Sequence, residues 1–168
     1  MSISMHSASA PVFARMLTNL LGWLDKAEAH AQARKFDPNN YLGLRLAPDM
    51  LPFTRQIQIA SDTAKGCVAR LAGVEVPKWE DNEATLVELR ARVQKTIDYV
   101  NSFSAAQIDG SDGRTVTIPM RSGEPLVFTG ENYLKQYALP NLFFHLTTAY
   151  ALLRHAGVEL GKSDYLGR

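Results

Sequence analysis

His145 is the residue of this chain best placed to do chemistry: it sits inside the apolar run Asn141–Arg154, NLFFHLTTAYALLR. A neutral imidazole there can serve as a metal ligand or a general base. It can equally be a core histidine satisfied by one hydrogen bond. A catalytic zinc needs three protein ligands and a water, so one histidine cannot complete a shell. Asn141 lies one helical turn before His145 and shares its face. It orients the imidazole, or it is an ordinary turn residue after Leu139-Pro140. Gln58, Ser61, Asp62 and Lys65 make a polar side on a second helix. Asp62 and Lys65, three apart, form a surface ion pair of small energetic weight, or the whole side faces His145 as a polar pocket.

Other chemistry-bearing residues give less. Cys67 falls on an apolar face and acts as a small hydrophobe, with no base or cation nearby in sequence to activate it. His6, His30 and His155 are terminal or exposed. Trp23 and Trp79 pack or line an interface rather than bind a cofactor. There is no GxGxxG and no P-loop, and no Ser-His-Asp spacing stands out.

The elements that must position these residues follow from apolar periodicity. Phe13, Met16, Leu17, Leu20, Leu21 and Leu24 predict a helix over 10–35 whose second half, DKAEAHAQARK, is solvated along one side. Asp49 caps a second helix running to Leu71 and stopped by Gly73, with Phe53, Ile57, Ala60, Ala64, Val68 and Leu71 on one face. Asp81 or Asn82 caps a third, with Leu86, Leu89, Val93, Ile97 and Val100 in one stripe, ending near Ser104. Two β-prone runs, 115–119 and 126–128, flank a turn and predict a hairpin. Thr129 caps a short helix over 131–138. Pro140 then begins or kinks a last helix that stops at Gly157. In the polar tail, Tyr165 and Leu166 are an apolar pair expected to dock back on the helices. Four stripes need a common core, so the fold class is all-α: a single-domain four-helix bundle over 1–168, with a small hairpin between helices three and four.

Composition narrows the partners. With 18 basic and 17 acidic residues the net charge is +1, which offers no field for nucleic acid. One cysteine fits a reducing compartment. The N-terminal apolar residues are spaced and interrupted by Arg15, which predicts an amphipathic helix and a cytoplasmic protein. No run of about 18 apolar residues exists, so no membrane span is expected.

The segments DMLPFTRQIQIASDTAKG (49–66) and RHAGVELGKSDYLG (154–167), with this order of elements, resemble an uncharacterised bacterial domain-of-unknown-function family within the DinB/YfiT-like superfamily of metalloenzymes. That resemblance implies a divalent metal held by one histidine of helix two and two of the last helix at i, i+4. Some members are thiol-dependent transferases or isomerases. On that pattern His145 matches the second histidine of the pair, Asn141 stands where the first would be, and Gln58 is nearest the helix-two position. Amide oxygens bind zinc or nickel poorly where imidazole is preferred. Asp62 supplies a carboxylate only if the register shifts one turn. Three functions follow as expectations. The first is a DinB-like bundle with a degenerate or absent metal site, no cofactor and a small-molecule role. The second is a zinc- or nickel-dependent thiol-linked enzyme using His145 with non-histidine ligands. The third is a homodimeric interaction protein, a dimer being the expected assembly.

Overall fold

The four apolar stripes become four helices that bury them against one another. A computed structural model describes residues 3–120 and 122–168. Helix α1 (Ala10–Arg34) buries Phe13, Leu17, Leu20, Leu24, Ala27 and Ala31. It packs on α3 (Leu86–Asn101) and on α6 (Leu139–His155). Helix α2 (Phe53–Ala72) packs on α6 and α3 in turn, which closes the ring of four. One contiguous cluster of buried apolar side chains runs from Ala10 to Leu160. Full burial of each large member contributes about 1.5–3 kcal/mol before entropy is counted. Among the described residues, no helix is long and apolar enough to cross a membrane.

Two helix starts differ from the sequence expectation. Helix α2 begins at Phe53, with Pro52 rather than Asp49 as its capping residue. Helix α3 is capped by Thr85, not by Asp81 or Asn82. The Glu88 amide donates to Thr85 Oγ1 at 3.2 Å, and the Thr85 amide donates to Glu88 Oε2 at 2.9 Å. This reciprocal pair satisfies two amides that a helix start leaves open. Asp81 is occupied elsewhere, by Arg92 and Arg55. Helix α3 also stops at Asn101, and a separate short helix α4 (Ala105–Ile108) follows.

The hairpin is present. Strands β1 (Thr115–Ile118) and β2 (Leu126–Thr129) pair antiparallel, with Val116 opposite Phe128. Val116 and Ile118 point into the core. From β2 the chain enters α5 (Gly130–Asn132), capped by Thr129, and passes through a π-helical segment (Tyr133–Ala138) directly into α6. Pro140 accounts for the wide turn. It has no N–H for the Gln136 carbonyl, and its ring crowds that carbonyl in an α-helix. The Leu139 amide instead bonds the Leu134 carbonyl five residues back. The last helix therefore runs on from its predecessor, and its register fixes where Asn141 and His145 point.

The tail docks through one member of its apolar pair, Tyr165, while Leu166 is held by its backbone carbonyl. Helix α7 (Lys162–Leu166) lies on α1. Tyr165 stacks on Trp23 with ring centroids 5.4 Å apart, and Trp23 Nε1 donates to the Asp164 carbonyl at 3.1 Å. Asn19 donates to the Tyr165 carbonyl at 2.9 Å, and Arg15 to that of Leu166 at 2.8 Å. A short polar helix has little stability of its own; these contacts hold it.

Candidate functional site

Helix α2 has two polar sides, and they meet different neighbours. Gln56 and Thr63 flank its apolar stripe on the side toward α6. Gln58, Ser61, Asp62 and Lys65 lie about half a turn away, toward α3 and the linker before it.

On the α6 side, His145 is only 8% exposed. Its Nδ1 lies 2.7 Å from Gln56 Oε1. Gln56 Nε2 in turn donates to the Leu51 carbonyl at 2.8 Å. That second bond orients the amide, so its oxygen faces the imidazole and Nδ1 must be the donor. The neutral ring therefore keeps its lone pair on Nε2. Nε2 has no protein partner among the described residues and is not wholly sealed. Burial pushes the His145 pKa below the ordinary histidine value, which favours this neutral form. One turn earlier, Asn141 Nδ2 donates to Thr63 Oγ1 at 2.7 Å. The aromatic ring of Phe144 stands edge-on to the imidazole, 5.2 Å between centroids.

The α3 side is charged, with its cations buried and two of its carboxylates at the surface. Arg92, its side chain 3% exposed, reaches Asp62 at 2.9 Å, Asp81 at 2.9 Å and Glu83 at 2.9 Å. Lys65 joins Asp62 at 2.8 Å. The expected surface pair is thus half of a largely buried network, for Lys65 itself is 4% exposed. Gln58 donates to Glu83 Oε2 at 2.7 Å and accepts from Arg55 at 2.7 Å. Burial alone would lower the Arg92 pKa, but the Glu83 hydrogen bond and the charges of Asp62, Glu83 and Asp81 outweigh it, and the net direction is up. For Asp81, burial opposes ionisation, and hydrogen bonds and charge from Arg55 and Arg92 more than offset it, so its pKa is lowered. Trp79 lies between Lys65 and Lys95, whose ammonium groups stand 4.5 and 4.4 Å from its ring centroid. Ser61 Oγ is buried without a partner. Cys67 is buried, and burial pushes its thiol pKa far up, so it is no nucleophile.

The structure therefore brings His145 and Asn141 onto one seam and places Gln58, Ser61 and Asp62 on the α3-facing side of α2. The α2 residues that face the seam are Gln56 and Thr63. They lie two helical turns apart on one flank of the apolar stripe, and that shared flank was the available signal.

A closed ring of four helices, a hairpin inserted before the last of them and a polar seam between the second and last long helices define a DinB-type bundle. The chain is 44% identical to a DinB family member protein from Shewanella denitrificans with a solved crystal structure, covering 97% of this chain and 92% of that one with a TM-score of 0.87. The model of the domain of unknown function DUF1993 matches residues 5–166, and the chain belongs to that family. No curated protein matches it.

The three-histidine pattern implied by the superfamily can be tested against the residues present. At the seam there is one imidazole. Gln56 spends its oxygen on His145, and Asn141 spends its amide nitrogen on Thr63. Among the described residues, no group of three His, Cys, Asp or Glu side chains is arranged to hold a metal ion. The donor set does not fit the superfamily metal, so no chemical step is derived through one.

Proposed function

We propose that this protein is a DinB-type bundle that has exchanged metal coordination for hydrogen-bond recognition of a small molecule at His145. The observation that carries this reading is the relay from the Leu51 carbonyl through Gln56 to His145 Nδ1. It leaves one oriented acceptor, Nε2, without a protein partner among the described residues. Phe144, exposed and edge-on to the imidazole, gives apolar contact beside it. The fitting ligand is a neutral molecule with an N–H or O–H donor on an apolar body. Elemental analysis of protein purified without chelator tests the first half, and near-stoichiometric zinc, nickel, iron or manganese overturns it. Phenol, titrated while the His145 ring is followed by NMR, tests the second half. A saturable shift of the His145 ring and of the neighbouring Phe144 amide is expected; a Phe144 shift that survives in His145→Ala contradicts it.

A homodimer is a second reading, favoured by the adjacent exposed rings of Phe143 and Phe144, 36% and 56% accessible. Rings left in water are costly, and a two-fold contact buries them twice. Light scattering showing a strict monomer excludes it.

A further inference from the structure

The second half of α1 carries Lys26, His30 and Arg34 one turn apart, with Ala29 and Ala33 between them. They line a cleft of about 540 Å³ whose other wall is Gly157 and Glu159. The alanines leave the helix surface low, so the three longer side chains stand around a trough.

His30 differs from the exposed residue its surroundings in sequence predict. Its Nδ1 lies 2.6 Å from the Tyr41 hydroxyl. Tyr41 is 2% exposed, and its hydroxyl has no other hydrogen-bond partner among the described residues. A buried hydroxyl with a single partner gives up its hydrogen rather than leave it unsatisfied. Nδ1 therefore accepts, and the neutral ring carries its hydrogen on Nε2. That atom faces the far wall: a Cβ built on Gly157 would sit 3.5 Å from it. Gly157 has φ +96°, a conformation that side chains disfavour, so this wall stays bare. The Nε2–H has no acceptor among the described residues and is open to the cleft.

The cationic neighbours are not equivalent. Lys26 is already engaged by Asp164 at 2.7 Å and by the Glu159 carbonyl at 3.3 Å. Arg34 makes no ion pair among the described residues. Two donors without acceptors thus converge on one trough.

We propose that this cleft binds a compact oxyanion, a carboxylate or a phosphate, between the His30 Nε2–H and the guanidinium of Arg34. An imidazole N–H supplies one directed hydrogen bond, and arginine supplies a fork matched to two oxygens. The Glu159 carboxylate opposes the ligand's charge across the trough and keeps affinity modest. The site shares no residue with the His145 seam and stands or falls independently of it.

The test is a titration of the full chain with inorganic phosphate and, separately, acetate, read by NMR of the histidine rings. The His30 signals are expected to shift saturably, with a Kd of about 1 mM for the better anion. Tighter phosphate binding assigns a phosphate ligand, and tighter acetate binding a carboxylate. Arg34→Gln, at an exposed position, is expected to weaken binding about tenfold, and Glu159→Gln to tighten it. His30 signals unmoved by both anions overturn the proposal. So does an Arg34→Gln protein that is folded by circular dichroism and binds as the wild type does.

Discussion

The two polar sides of α2 show what the same helix does with charge and without it. Toward α3, Arg92 and Lys65 are buried among Asp62, Asp81 and Glu83, and both terminal nitrogens of the Arg92 guanidinium meet carboxylates, while its Nε is buried without a partner. That side binds the 74–85 linker to the bundle. Toward α6 the groups are neutral: two amides, a hydroxyl and an imidazole. Neutral groups can be buried with one bond each and still leave an atom free. The charged side is architecture, and the neutral side is the place where an atom with chemistry remains open.

Breaking the charged side gives the largest expected effect. Arg92→Leu leaves Glu83 with the Gln58 amide but without a cation, in a nearly closed site. A loss of about 2–3 kcal/mol is expected in urea denaturation, below the usual cost for a fully buried pair because Asp62 and Asp81 reach solvent. A change within a few tenths would mean that the network does not hold the linker. The docked tail comes next. Tyr165→Ala removes the stack on Trp23 and is expected to cost about 1–2 kcal/mol, visible as a lower Tm.

On the neutral side, Gln56→Leu keeps the volume but removes the acceptor from His145. About 1 kcal/mol of stability is expected to go, and the ring loses its fixed tautomer. Gln58→Leu, half a turn away, is expected to leave the His145 ring signals unmoved, which separates the two sides directly. The smallest effect is on pH dependence. Burial makes His145 harder to protonate in the folded protein than in the unfolded chain. The stability tied to the neutral ring is therefore full above the unfolded value of about 6.5 and falls as pH drops through it toward the folded value. His145→Gln is expected to flatten that part of the stability curve.

The four stripes, the hairpin and the tail were legible because each rests on local spacing. The Asn141 and His145 pair was legible for the same reason. What faces them was not. Gln58 attracts attention as part of the larger polar patch, but a single helix cannot say which neighbour each flank meets. That depends on α6, whose register is set by the π-helical turn that Pro140 imposes. Lys65 reads as a surface cation because its network partners, Arg92 and the 79–83 linker, arrive from far along the chain. The α3 cap is different. Thr85 and Glu88 are a local signal, and Asp81 and Asn82 drew the assignment only because they too have capping chemistry.

Nitrogen NMR of the His145 ring, at neutral pH in protein purified without chelator, tests the neutral seam most directly. An uncharged imidazole protonated on Nδ1, with Nε2 unprotonated and free of metal, is expected. A ring protonated on Nε2, a charged ring, or an Nε2 signal shifted by a bound metal would contradict it.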